Sequence, residues 1–130
     1  MIAPDEISKI LDDERIEYVR HHSEECERWL IICSVGVISV ELLTSGEHLR
    51  VRTGPLVDAS KLSVAARCDL YRRAMDANDE QMIGRFCGVD HVDYEIGMAF
   101  PGQSVLYREQ LTLALQTAAA VRLHRHFASA

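Results

Sequence analysis

The chain has 130 residues, 48% of them hydrophobic, and a formal net charge of −6. A length and composition of this kind give one core-forming domain, 1–130, and exclude a disordered chain. The acidic balance argues against nucleic acid and against anionic membrane surfaces, since both select a basic footprint.

The N-terminal MIAPDEISKILDDER lacks the basic start and apolar core of a signal peptide. No apolar run approaches the roughly 20 residues of a spanning helix. The expectation is a cytoplasmic protein with no membrane partner. Pro4 to Glu14 reads as the first helix, because proline suits a first turn and Asp5 and Glu6 complement the positive helix start. Ile7, Ile10 and Leu11 give it a narrow apolar stripe. Asp12, Asp13 and Glu14 form a solvated charge run that opposes the helix dipole, so the helix is expected to end before them.

Four strand-like segments follow: Ile16 to His21, Arg28 to Ser34, Val35 to Leu43 and His48 to Thr53. Ser45-Gly46-Glu47 reads as a hairpin turn, and Gly54-Pro55 ends the run. Leu49, Val51 and Thr53 alternate with His48, Arg50 and Arg52, which predicts one dry face and one basic, wet face. The run from Trp29 to Cys33 is apolar on both faces and is expected to be covered on both sides. Trp29 is either core or an exposed binding anchor.

Ser60 to Asp76 reads as the second helix, with two apolar stripes. Val64, Cys68, Tyr71 and Met75 form one, and Leu62, Ala66 and Leu70 the other. One stripe faces the sheet and the other calls for a partner, most simply a second copy of the chain. The helical pattern ends near Asn78. Met82 to Val89 reads as a strand, Asp90-His91 as a turn, and Val92 to Phe100 as a strand of strict period two. In that strand Val92, Tyr94, Ile96, Met98 and Phe100 point inward. The final helix is placed at Ser104 to Phe127, with Ser104 as N-cap and a middle apolar nearly all round. Helices segregated from meander-like strands indicate an α+β sandwich with an antiparallel sheet. Its order is α-β-β-β-α-β-β-α, with a further strand allowed before the second helix.

Motifs of chemistry are sparse. Cys26, Cys33, Cys68 and Cys87 form no C-x-x-C pair, which leaves them as free thiols; Cys33 and Cys68 sit in apolar patterns and read as core residues. His21, His22 and Cys26 approach ligand spacing if residues 23–25 turn, but no second pair completes a tetrahedron. His124 and His126 lie on different helix faces. Asp90, His91, Asp93 and Glu95 read as turn chemistry followed by a solvent-facing row. There is no nucleophile elbow and no cysteine in a basic, helix-start setting. Gly84 to Gly88 (GRFCG) sits in a strand pattern, so it marks a bulge or a close backbone approach and not a phosphate cradle. No catalytic, cofactor or metal residue is assigned.

The segment Ala74-Met75-Asp76-Ala77-Asn78 followed by Ile83-Gly84-Arg85-Phe86 resembles the bacterial YbjN-like family, described as sensory transduction regulators. That family is similar in fold to the class I chaperones of type III secretion systems. Asn78, Gly84, Arg85 and Phe86 carry the match over about twenty residues. The element order carries it over nearly the whole chain. The resemblance implies a non-enzymatic domain that binds a protein segment, works as a homodimer and needs no cofactor.

The leading expectation is therefore a protein-binding domain of chaperone-like fold. Candidate partner or dimer contacts are Trp29, Ile31, Leu62, Ala66 and Leu70. Two rivals remain. One is a dedicated type III secretion chaperone for an effector. The other is a small enzyme or ligand-binding domain using an inter-element pocket, which a buried cavity lined by His48, Arg50 or Arg52 with convergent acids would support and a solid, closed core would remove.

Overall fold

The computed structural model describes residues 2–34, 36–43, 46–79, 83–88, 90–99 and 108–124. The chain passes through α1 (Pro4–Asp13), β1 (Tyr18–His22), β2 (Cys26–Cys33), β3 (Gly36–Leu43), β4 (His48–Arg52), β5 (Val57–Asp58), α2 (Val64–Asn78), β6 (Arg85–Cys87), β7 (His91–Ala99) and α3 (Arg108–His124). The α+β class and the antiparallel sheet are as expected. The short β5 is an addition to the expected order. It takes up the ladder to β7 where β4 leaves it, pairing Val57 with Val92 after the Gly54-Pro55 break.

The sheet runs β1-β2-β3-β4-β7 with every neighbour antiparallel. β6 pairs the other edge of β7, since Glu95 faces Arg52 on one side and Arg85 on the other. Period-two alternation sorts the side chains onto two faces. One face collects Trp29, Ile31, Ile38, Val40, Leu49, Val51, Tyr94 and Ile96, all buried in a single core. The three helices close over this face. α1 contributes Ile7, Ile10 and Leu11, α2 Leu70 and Ala74, and α3 Leu111, Ala114, Ala118 and Val121.

The helices depart from expectation in instructive ways. α1 keeps Asp12 and Asp13 and ends at Asp13. Arg108 of α3 reaches Asp13 at 2.8 Å and Glu14 at 3.4 Å, which offsets the unfavourable charge at that helix end. α2 begins at Val64, later than expected, because Ser63 is the N-cap and accepts a hydrogen bond from the Ala66 amide. Residues 60–62 instead form a turn in which Asp58 accepts from the Ser60 amide at 2.9 Å. Among the described side chains of α3, Leu111, Ala114, Ala118 and Val121 are the buried ones, while Leu113 is 54% exposed. Small alanines bring that helix close to the sheet, so it is not apolar-covered all round. Ser104, Phe100, Met82, Val89 and the segment 125–127 lie outside the described residues.

The GRFCG segment makes the close approaches expected of it. A Cβ on Gly84 would overlap the ring and hydroxyl of Tyr94, and one on Gly88 would overlap the backbone carbonyl of His91. Gly88 also holds φ at +133°, a region that L side chains rarely enter. Gly88→Ala is expected to cost about 2 kcal/mol of stability, read as a lower urea midpoint with unchanged slope.

Asn78 ties the end of α2 to β6. Its amide nitrogen donates to the Phe86 carbonyl at 3.0 Å, and its amide oxygen accepts from the Phe86 N–H at 2.5 Å. The clamp covers backbone groups on a strand that would otherwise present an open edge. Asn78→Ala is expected to cost about 1–2 kcal/mol by orphaning both groups, with lost amide-exchange protection concentrated in β6.

Candidate binding face

Among the described residues, no helix covers the second face of the sheet. Its outer part is apolar. Val19 of β1, Ile32 of β2 and Val37 of β3 are 55%, 56% and 44% exposed. They share one patch with Leu30, because Val19 pairs with Leu30 and Ile32 with Val37 across the ladders. The both-face apolarity of the Trp29–Cys33 run is therefore resolved unequally. Trp29 and Ile31 enter the core, while Leu30 and Ile32 face outward.

The centre of the same face is charged and partly buried. Glu41 lies opposite Arg28 on one neighbouring strand and Arg50 on the other. It is only 2% exposed. Its Oε2 accepts from Arg28 at 3.1 Å and from Arg50 at 3.2 Å, and Arg52 approaches Oε1 at 3.8 Å. Burial raises the Glu41 carboxyl, but the hydrogen bonds and charges of Arg50 and Arg28 outweigh it, so the net shift is downward. Asp93 is equally buried and accepts from Arg52 at 2.7 Å through Oδ2, with His91 Nε2 at 3.7 Å from the same atom. Its Oδ1 is buried and has no hydrogen-bond partner among the described residues.

This corrects two expectations. Asp93 does not belong to a solvent-facing row, and Arg50 and Arg52 do not form a simple wet face. Buried carboxylates across the ladder draw the arginines down and hold them. Cys87, on the same face, is kept protonated by burial and by the charges of Glu95 and Asp93, which does not suit a nucleophile.

Beside this layer lies a groove of about 440 Å³, lined at one end by Leu30 and Val37 and at the other by His91, Asp93 and Pro55. Arg28, Glu41, Arg52 and Arg122 line it as well. Arg122 arrives from α3 at the end of the sheet. Its Nη1 donates to the Thr53 carbonyl at 2.6 Å. Gly36 leaves the room for this, since a Cβ there would overlap the guanidinium. Sequence patterning singled out Arg52 and the acids but not Arg122, whose place depends on how α3 crosses the sheet.

The five candidate contacts separate. Trp29, Ile31 and Leu70 are buried in the chain's own core and are unavailable to a partner. Leu62 is half-buried against that core, and Ala66 is exposed. The exposed apolar side chains of α2 come from the other stripe: Val64 is 80% and Met75 68% exposed, with Cys68 exposed between them. Cys68 is thus a surface thiol and not a core residue. Helical geometry explains the exchange. The buried face combines Leu70 and Ala74 with half-buried Tyr71 and Ala77, taking members from both stripes.

Of the metal candidates, Ser23 does turn the β1–β2 hairpin, its amide donating to the Cys26 carbonyl at 3.0 Å. His22 points to the opposite face from Cys26 and bonds Glu27. No group of three or more His, Cys, Asp or Glu is placed to hold a metal among the described residues. Likewise, no helix among them is long and apolar enough to cross a membrane.

No family model matches the chain, and no curated protein matches it. Among solved structures it is similar to an uncharacterized protein from Methanothermobacter thermautotrophicus. The two are 14% identical, and the match covers 93% of this chain and 92% of that one at a TM-score of 0.63. At that identity the likeness speaks to the fold alone.

Proposed function

We propose that this chain is a non-enzymatic, cytoplasmic protein-binding domain, chaperone-like or regulatory in kind, related to the YbjN-like family and without a cofactor. The observation that carries the reading is the uncovered sheet face, where Val19, Ile32 and Val37 stand exposed beside a charged groove. Exposed apolar patches rimmed by polar groups mark contact surfaces. The order of one helix, a strand meander, a second helix, a hairpin and a last helix agrees with the resemblance to type III secretion chaperones. A dedicated effector chaperone is the narrower form of the same reading.

The test is affinity capture with the tagged protein and with Ile32→Asp/Val37→Asp, checked for folding by circular dichroism. A polypeptide retained by the parent and lost with the variant supports the reading. Equal retention by both sinks the assignment of this face. The exposed stripe of Val64, Cys68 and Met75 on α2 supports a homodimer contact there. Val64→Glu/Met75→Glu should give a monomer by light scattering at concentrations where the parent is a dimer. A parent that is monomeric throughout ends the dimer proposal.

A second reading, a small-ligand domain, is favoured by one observation: Arg52 does meet convergent acids at a groove. A groove of about 440 Å³ lies within the size range of ligand sites.

A further inference from the structure

We infer that the groove recognises a carboxylate flanked by an aliphatic side chain, presented by an extended acidic segment of a partner protein. This deepens the protein-binding reading and rests on it. Three guanidinium groups, Arg28, Arg52 and Arg122, line the groove against two carboxylates, Glu41 and Asp93. Both carboxylates are already engaged by arginine. The groove is therefore net positive on a chain whose formal charge is −6.

The arginines are preorganised. Arg52 is fixed by Asp93 and Arg122 by the Thr53 carbonyl, so a carboxylate meets forks already in place. The aliphatic requirement follows from register. Ser39 lies opposite Arg52, and Val37 is two residues further along the same strand, opposite Ile32. An extended segment running along β3 repeats its side-chain direction every two residues, about 7 Å. An acidic residue over Arg52 thus places its neighbour two positions away over Val37 and Ile32.

Charge also selects against self-association here. A two-fold contact would set this positive groove against its copy, and like charges across an interface oppose it. The dimer stripe on α2 is a separate surface.

The test uses four fluorescein-labelled octapeptides, with anisotropy read at low salt. The first repeats Glu-Ser-Val-Ser twice. The others replace Glu with Gln, Glu with Lys, or Val with Ser. The Glu/Val peptide is expected to bind at least ten-fold more tightly than each of the other three. Arg52→Gln, checked for folding by circular dichroism, should remove most of that preference and Val37→Ser part of it, while Arg72→Gln on α2 leaves it unchanged. Equal binding of the Gln and Glu peptides would overturn carboxylate recognition and leave the open face as a docking surface. Equal binding of the Glu/Ser peptide would reduce the site to plain anion attraction and overturn the aliphatic part. Displacement by isovalerate alone, as effective as by peptide, would replace the protein segment with a small acid. If no peptide binds, the acidic-segment proposal fails. The protein-binding reading is still decided separately, by loss of capture with Ile32→Asp/Val37→Asp.

Discussion

Glu41→Gln is expected to destabilise the protein by about 2–3 kcal/mol, because removing one partner from a buried charge cluster leaves the others uncompensated. Glu41 accepts from Arg28 and Arg50 and forms an ion pair with Arg52 at 3.8 Å, and it sits 2% exposed in the middle of the sheet. The loss falls below the full cost of an orphaned buried charge, since the three arginine side chains remain 31–44% exposed and solvent screens them. Urea titration reads it as a reduced midpoint. The pH dependence has a definite sign. The Glu41 carboxyl is lowered in the folded state, so its contribution is fully present above the ordinary carboxylate range. It is lost as pH falls through the depressed folded value. The parent should therefore lose stability on acidification through and below about pH 4.5, and Glu41→Gln should show a flatter profile over that window.

Trp29→Ala should cost more, about 3–5 kcal/mol, the range for deleting a large aromatic from a packed core. The indole is fully buried, donates to Ser8 Oγ at 2.9 Å, and lies under the Arg20 guanidinium at 5.5 Å. It joins α1 to β2, next to the sheet's β1 edge. Deleting it removes packing from both and takes one of two donors from the Ser8 hydroxyl, which also accepts from Arg20 at 3.4 Å. Ser8→Ala removes both hydrogen bonds and keeps the indole, with an expected loss of about 1 kcal/mol. A Trp29→Ala protein as stable as the parent in urea would contradict the placement of this residue in the core.

Both effects come from the sheet, yet they differed in how readable they were. Local patterns announced the inward row of β7, the apolar stripe of α1 and the close approaches of Gly84 and Gly88. In each case the signal lies within one element and repeats with its period. The charge layer was hidden for the opposite reason. Glu41 meets Arg28 and Arg50 only through the pairing of three strands, and register is a tertiary fact that composition does not carry. Asp93 looked like a surface acid until Arg52, 41 positions away, was set beside it.

The buried face of α2 was hidden for another reason. Two stripes of similar apolarity run along that helix, and which residues turn inward depends on where β6 and β7 sit beneath it. Asn78 decides part of this by clamping the helix end to Phe86. Asn78 and the Gly-Arg-Phe run, which carry the resemblance in sequence, thus fall on a structural joint. The candidate binding face lies on the other side of the sheet.

The central claim is that the uncovered sheet face is where this protein meets its partner. Site-specific photo-crosslinking in cells tests it most directly, with benzoylphenylalanine placed at Val37 on the open face and, separately, at Arg72 on the exposed side of α2. A discrete adduct with a different polypeptide from position 37, and from position 72 nothing beyond a self-adduct between two copies of the chain, is the predicted result. Adducts with a different polypeptide from position 72 alone would contradict the claim and move the binding surface to the helical side.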